Sequence, residues 1–269
     1  MVEELLNSAI FAEEASSLKG KNMLALVSGR RNSGKTWLSV NLAQALSSFK
    51  QKVILFDGDS GINNAKAQLG VNYVNDLDTV IYGTNTLNQA IHSYDKGRFD
   101  IIASRSGSVG ITTMSIGRLQ ILGDDLSIIA QNYDKMILDI SPGMCKSSKV
   151  LTGMSQNAFI VCTDAPQSIT DNYELIKLIQ SCFPKTNVQI IINQVNSIEE
   201  GLRTYKMLEK ACNDFLGLKP PLLGIVRQDT RVRDSIRNQS TIISRYPQSE
   251  ASIDIMSLAQ RIIKNEQFN

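Results

Sequence analysis

MLALVSGRRNSGKTWL, residues 23–38, joins an apolar run to a glycine-containing turn and then to a second apolar segment. Met23 to Val27 is apolar without alternation and reads as a fully buried strand. The run stops at Ser28-Gly29. From Gly29 onward the chain fits the phosphate-loop pattern G-x-x-x-x-G-K-[ST], with Gly29, Gly34, Lys35 and Thr36 in the four fixed places. Small residues here let backbone N–H groups curl round a phosphate, and a helix starting near Gly34 turns its positive end towards that charge. Lys35 then reaches the β- and γ-phosphates, and the Thr36 hydroxyl ligates Mg²⁺. Trp37, Val40, Leu42, Ala43 and Leu46 give the helix an apolar face. Candidate nucleotide-binding positions are therefore Gly29, Arg30, Asn32, Ser33, Gly34, Lys35, Thr36 and Trp37.

At 269 residues the economical reading is one α/β domain, residues 21–269, preceded by an arm, residues 1–20. A hydrophobic content of 42% with 20% charged residues excludes a disordered chain. Lys plus Arg number 28 against 26 Asp plus Glu, so no global field recruits nucleic acid or membrane. Cys145, Cys162, Cys182 and Cys212 are far apart and form no C-x-x-C pair, which points away from a zinc site or a disulfide framework and towards a reducing cytoplasm. Glu3, Glu4, Glu13 and Glu14 give the arm the wrong charge for a signal peptide, and no apolar run approaches a membrane span. Leu5, Leu6, Ile10, Phe11, Ala15 and Leu18 recur at helical spacing in the arm, ended by Gly20; such a face docks on the domain itself or on a partner. His92, in QAIHSYDKG, reads as a surface residue at a helix end.

Further along, VILFDGD (Val53 to Asp59) reads as a buried strand whose end carries Asp57 and Asp59, where open α/β sheets bind ligands. FDIIAS (Phe99 to Ser104), KMILD (Lys135 to Asp139), Ala158 to Thr163, Val188 to Asn193 and PLLGIV (Pro221 to Val226) read as strands. Between and after them, helices are expected near Ile116 to Asn132, Ile169 to Cys182, Ile198 to Phe215 and Glu250 to Lys264, the last with Ile253, Met256, Ile262 and Ile263 facing the core. Strands alternating with helices predict a doubly wound, mostly parallel sheet flanked by helices. Asp139 closes an apolar strand downstream of the phosphate loop, so it is the expected outer holder of Mg²⁺; in D-x-x-x-G a backbone N–H near Gly143 senses the γ-phosphate.

With these residues in view, the chain resembles the MinD/ParA class of phosphate-loop ATPases, and within it the flagellar-number regulators called FlhG, FleN or YlxH. The likeness is carried by SGRRNSGKT against S-G-K-G-G-V-G-K-T, by DGDSGINN against D-x-D-x-G-x-x-N, and by DISPG against D-x-x-x-G. TDAPQSITDNYELIK (Thr163 to Lys177) is similar to the flagellar branch's T-P-E-P-T-S-I-T-D-A-Y-A-L-I-K, and the LLGIVRQDTRVRDSIRN…YPQS ending is similar to its tail. EEASSLK (Glu13 to Lys19) resembles the N-terminal D-Q-A-x-x-L-R motif that contacts the GTPase FlhF. The resemblance implies a P-loop fold, ATP and Mg²⁺ as cofactors, an ATP-dependent homodimer, slow ATP hydrolysis and a cytoplasmic protein found at the cell pole or peripheral to the inner membrane. It also implies control of flagellar number through an FlhF-like GTPase bound by residues 1–20, and through flagellar assembly or transcription factors.

Carried onto this sequence, the resemblance implies catalytic roles for Lys35, for Asp59 as the residue that positions water, and for Arg30, which stands where the class has a lysine that crosses the dimer. Thr36, Asp57 and Asp139 would serve Mg²⁺, and Asn193 would read the adenine edge with Arg227 in the segment that closes over the base. Arg31 and Asn32 replace two glycines of the class; Asn tolerates φ > 0 and Arg does not, so a tighter or strained loop is expected. The chain ends in KNEQFN without the Lys/Arg-rich amphipathic helix that relatives append, so membrane association by that route is not expected. Two other readings compete: a nucleotide-binding scaffold with little hydrolysis, and a ParA-type DNA partitioning ATPase using Arg227, Arg231, Arg233 and Arg237; an iron–sulfur relative using Cys145 is set aside because the C-x-x-C of such proteins and a second cysteine in that region are missing. DNA binding has little support because helical Arg and Lys usually form a solvated face.

Overall fold

A computed structural model describes residues 20–59, 61, 64–108 and 110–267. The expected arm lies outside them, except for Gly20, which opens the first strand instead of closing a helix.

That strand, β1 (Gly20–Val27), sits at the centre of the sheet. Met23, Ala25 and Val27 enter one core layer while Leu24 and Leu26 enter the other. An unbroken apolar run is what a parallel strand covered on both faces requires. Its neighbours are β5 (Lys135–Asp139) and β6 (Ser155–Cys162). Beyond β5 lie β2 (Val53–Asp57), β4 (Phe99–Ala103) and β3 (His92–Tyr94); beyond β6 lie β7 (Asn187–Val195) and β8 (Leu222–Arg227). Neighbouring strands run parallel except β3, which pairs antiparallel to β4.

One face is covered by α1 (Lys35–Ser48) and α11 (Glu250–Gln267), and the other by α5 (Ile116–Ala130), α6 (Lys146–Met154), α7 (Pro166–Cys182) and α8 (Ile198–Leu216). Shorter helices complete the chain: α2 (Ala65–Leu69), α3 (Leu77–Ile81), α4 (Gly110–Thr113), α9 (Arg231–Arg237) and α10 (Ile242–Arg245). The register brings three strand ends level, with Leu26 of β1 opposite Asp139 of β5 and Asp57 of β2 opposite the same aspartate. The site grows from that shared edge.

Several expectations are corrected. β2 ends at Asp57, and Asp59 belongs to the loop after it. His92 opens the edge strand β3 rather than closing a helix; its ring stacks on Tyr73 with centroids 3.9 Å apart, and its Nε2 meets the Asn75 carbonyl. Helix α6 goes unread in the sequence because KSSKVLTGM offers few apolar residues, of which Val150, Leu151 and Met154 are buried. In α11 Ile262 is buried and Met256 and Ile263 pack against the same core as expected, joined by Ile255 and Leu258, whereas Ile253 faces solvent.

Helix α1 departs most from its expected form, because it is buried nearly all round instead of showing one polar face to water. Its polar side chains bond inward. Asn41 donates to the Trp37 carbonyl at 2.8 Å and accepts the N–H of Ile242 at 2.9 Å, while Gln44 donates to Ser244 Oγ at 2.7 Å. Asn41→Ala strands the buried Ile242 amide, so an unfolding free energy lower by about 1–3 kcal/mol is expected in urea titration; an unchanged midpoint would show that α10 is not held by this bond.

Candidate nucleotide-binding site

The loop between β1 and α1 forms one wall of a cleft of ≈ 350 Å³ that Asp59, Gly61, Asn64, Gln68 and Pro142 complete. Helix α1 begins with no side-chain cap on its first amides and no acidic residue in its first turn. Its positive end is left for an anion. Gly34 adopts φ +78°, and a Cβ there would lie 2.5 Å from Nδ2 of Asn193, so the position admits only glycine. Asn32 takes φ +64° and Arg31 stays out of the left-handed region, so the loop curls without the strain expected at Arg31.

Lys35 is buried, with Nζ 2.7 Å from Asp139 Oδ1 and 3.9 Å from Asp59 Oδ2. Asp57 spends one oxygen on the N–H of Asp59 at 3.1 Å and the other on that of Ala65 at 2.7 Å. Burial, reinforced by the charge of Asp139, pushes its carboxyl well above the usual carboxylate range. The second oxygen of Asp139 is buried without a hydrogen-bond partner. An orphaned carboxylate oxygen beside a lysine, behind a cleft that Thr36 lines, suits a hydrated divalent cation. Among the described residues no group of three or more His, Cys, Asp or Glu side chains is arranged as a metal cage. Mg²⁺ needs none, being held largely by substrate phosphates and water.

Of the residues expected from the sequence, Arg30, Asn32, Ser33, Gly34, Lys35, Thr36, Trp37 and Asp59 line the cleft, with Asp57 and Asp139 immediately behind it. Asn193 stands behind the loop, donating Nδ2 to the Ser33 carbonyl at 2.8 Å, with Oδ1 buried and unpaired. Arg227 is held elsewhere. Its guanidinium makes a bidentate pair with Asp254 at 2.9 Å and reaches Glu250 at 2.6 Å, so its charge is spent on α11. The Gly143 amide, expected to sense phosphate, donates to the Ser28 carbonyl at 2.8 Å and so ties the loop after β5 to the phosphate loop.

Two residues have roles that the sequence reading does not assign, the first being the closing Asn of DGDSGINN. Asn64 accepts the N–H of Ala67 at 3.1 Å and donates to the Ser104 carbonyl at 2.9 Å, which joins the segments after β2 and β4; its place ahead of AKAQL is a readable cap signal. Asn172, on α7, accepts the N–H of Gly29 at 2.9 Å, a pairing no local pattern announces.

A site of this build, on a parallel sheet at the end of its central strand, defines a nucleotide-binding α/β protein. Residues 24–242 match the model of the CobQ/CobB/MinD/ParA nucleotide binding domain, and the chain belongs to that family. It is 29% identical over 250 residues to the antiactivator FleN of Pseudomonas aeruginosa, covering 93% of this chain and 89% of that protein. To the flagellum site-determining protein YlxH of Helicobacter pylori it is 26% identical over 241 residues, covering 89% and 81%. Its fold matches the septum site-determining protein MinD of Pyrococcus horikoshii OT3, solved with Mg-ADP, at a TM-score of 0.76 with 20% identity over 92% of this chain and 98% of that one.

Removing the lysine tests the site's electrostatics directly. Lys35→Ala leaves Asp139 buried beside Asp57 without its cation, and the nucleotide-free protein is expected to lose about 3 kcal/mol of stability in urea titration. Adding Asp139→Asn removes the stranded charge and recovers part of that loss; an equal loss in the single and double variants would rule out the charge as its cause.

Proposed function

We propose that this chain is an ATP-binding switch that dimerises when ATP and Mg²⁺ are bound and resets by slow hydrolysis. The observation that carries the reading is the buried Lys35 between Asp139 and Asp59 at the uncapped start of α1. Bound ATP with Mg²⁺ supplies the phosphoanhydride bond and the charge to which the loops respond. Lys35 and the first amides of α1 hold phosphate, Thr36 and Asp139 serve the metal, and Asp59 orients water. Arg30 lies at the cleft, half exposed, with Nε 3.9 Å from Asp171, a contact weak enough to be exchanged for a partner's phosphates.

One relative is named a flagellum site-determining protein and another, FleN, an antiactivator; together with the resemblance to flagellar-number regulators they support a role in controlling flagellar number or position. In this reading the protein is cytoplasmic or polar and engages an FlhF-like GTPase through residues 1–20, together with assembly or transcription factors. No helix among the described residues is long and apolar enough to cross a membrane.

Asp59→Ala is expected to bind ATP as the wild type does and to hydrolyse it about a hundredfold more slowly, measured by phosphate release; wild-type turnover retained in the variant would remove Asp59 from the reaction. By light scattering, the 29.7 kDa chain is expected to double its mass with ATP and Mg²⁺ but not with ADP. A monomer in both conditions would contradict the switch. Deletion of residues 1–20 is expected to spare ATP binding and abolish capture of the GTPase.

A further inference from the structure

Gly29, the first glycine of the phosphate loop, does not owe its identity to phosphate alone. A Cβ at this position would lie 2.5 Å from the backbone of Asp171, because α7 runs directly against the loop's entry. The next residue of that helix completes the contact. Asn172 is fully buried, and its Oδ1 accepts the Gly29 N–H at 2.9 Å. Its Nδ2 donates to the Ser168 carbonyl at 2.8 Å, to the Ser168 hydroxyl at 3.2 Å and to the Val161 carbonyl at 3.4 Å. Two carbonyl acceptors decide which end of the carboxamide is nitrogen, so the oxygen faces Gly29 by chemistry.

The contact sits at the point where the chain enters its most demanding turn. The loop carries Arg30, Arg31 and Asn32 between its two glycines, and its curl relies on left-handed backbone at Asn32 and Gly34 before Lys35 and Thr36 are reached. A loop so built has its far end held by Lys35 on Asp139 and its near end by Asn172. We infer that Asn172 is a positioning residue for the nucleotide site, setting the entry of the phosphate loop through Gly29 and making α7 part of the site. The inference rests on the nucleotide reading above for its consequence and on the Gly29 bond for its geometry.

Two variants separate positioning from packing. Asn172→Ala removes the acceptor of the Gly29 amide, whereas Ser168→Ala disturbs the same turn of α7 and leaves that acceptor in place. In the nucleotide-free full-length protein, amide hydrogen exchange across residues 28–34 is expected to quicken about tenfold in Asn172→Ala and to stay within about twofold of wild type in Ser168→Ala. Affinity for Mg-ATP, titrated through the fluorescence of Trp37, the single tryptophan, is expected to fall about five- to tenfold in Asn172→Ala and to hold in Ser168→Ala. Equal exchange in both alanine variants, whether fast or slow, overturns the inference and makes Asn172 a packing residue. A wild type that protects residues 28–34 but binds no nucleotide overturns the nucleotide reading instead, while the exchange data still decide the positioning claim.

Discussion

Two carboxylates end neighbouring parallel strands, fully buried and set opposite each other by the register of β2 on β5. Water is excluded and like charge adjoins like, which disfavours the charged form of Asp57. The molecule treats them differently. Burial and the charge of Asp139 raise the carboxyl of Asp57 against the opposing pull of two backbone donors, whereas Asp139 keeps a cation, Lys35, at 2.7 Å. That lysine has to arrive from above the sheet edge at the start of a helix, which dictates a tight turn after β1 and left-handed backbone at Gly34.

The same demand explains how α1 is braced. A helix whose first turn must point at one spot cannot lie loosely on the sheet, and α1 is accordingly enclosed by the sheet, α11 and α10. Its inward-bonded Asn41 and Gln44 fix its rotation about its own axis. On the other side of the sheet α7 presses on Gly29, so the loop is held between helices from both layers. Rigidity at the loop and exchangeable charge at Lys35 together suit a site whose occupant replaces one set of ionic partners with another.

Much of this is legible in the sequence because the signals are local. Residues 23–38 announce a buried strand, a turn and a helix in that order, and apolar strands with aspartates at their ends, Asp57 with Asp59 and Asp139, announce the sheet edge, though the first of them stops two residues short of the reading. The features that escape a sequence reading are tertiary. Asn41 and Gln44 look like a solvent-facing stripe until α10 is laid over them, and Arg227 looks available until Asp254 and Glu250, more than twenty residues on, take its guanidinium. Asn172 belongs to the same class, since its partner lies on a distant strand end and nothing nearby marks it. His92 misleads for a different reason: the short segment HSY has too few residues to show a period.

All of these features converge on the cleft at Lys35, where the function proposed above would have a phosphate chain and a divalent cation take over from the Lys35–Asp139 ion pair. Isothermal titration of the purified protein with ATP in the presence of Mg²⁺ tests that most directly. A saturable heat corresponding to one nucleotide per chain, displaced by ADP, is the predicted result. Absence of binding heat for both adenine and guanine nucleotides would contradict it, leaving the pocket's architecture without its ligand.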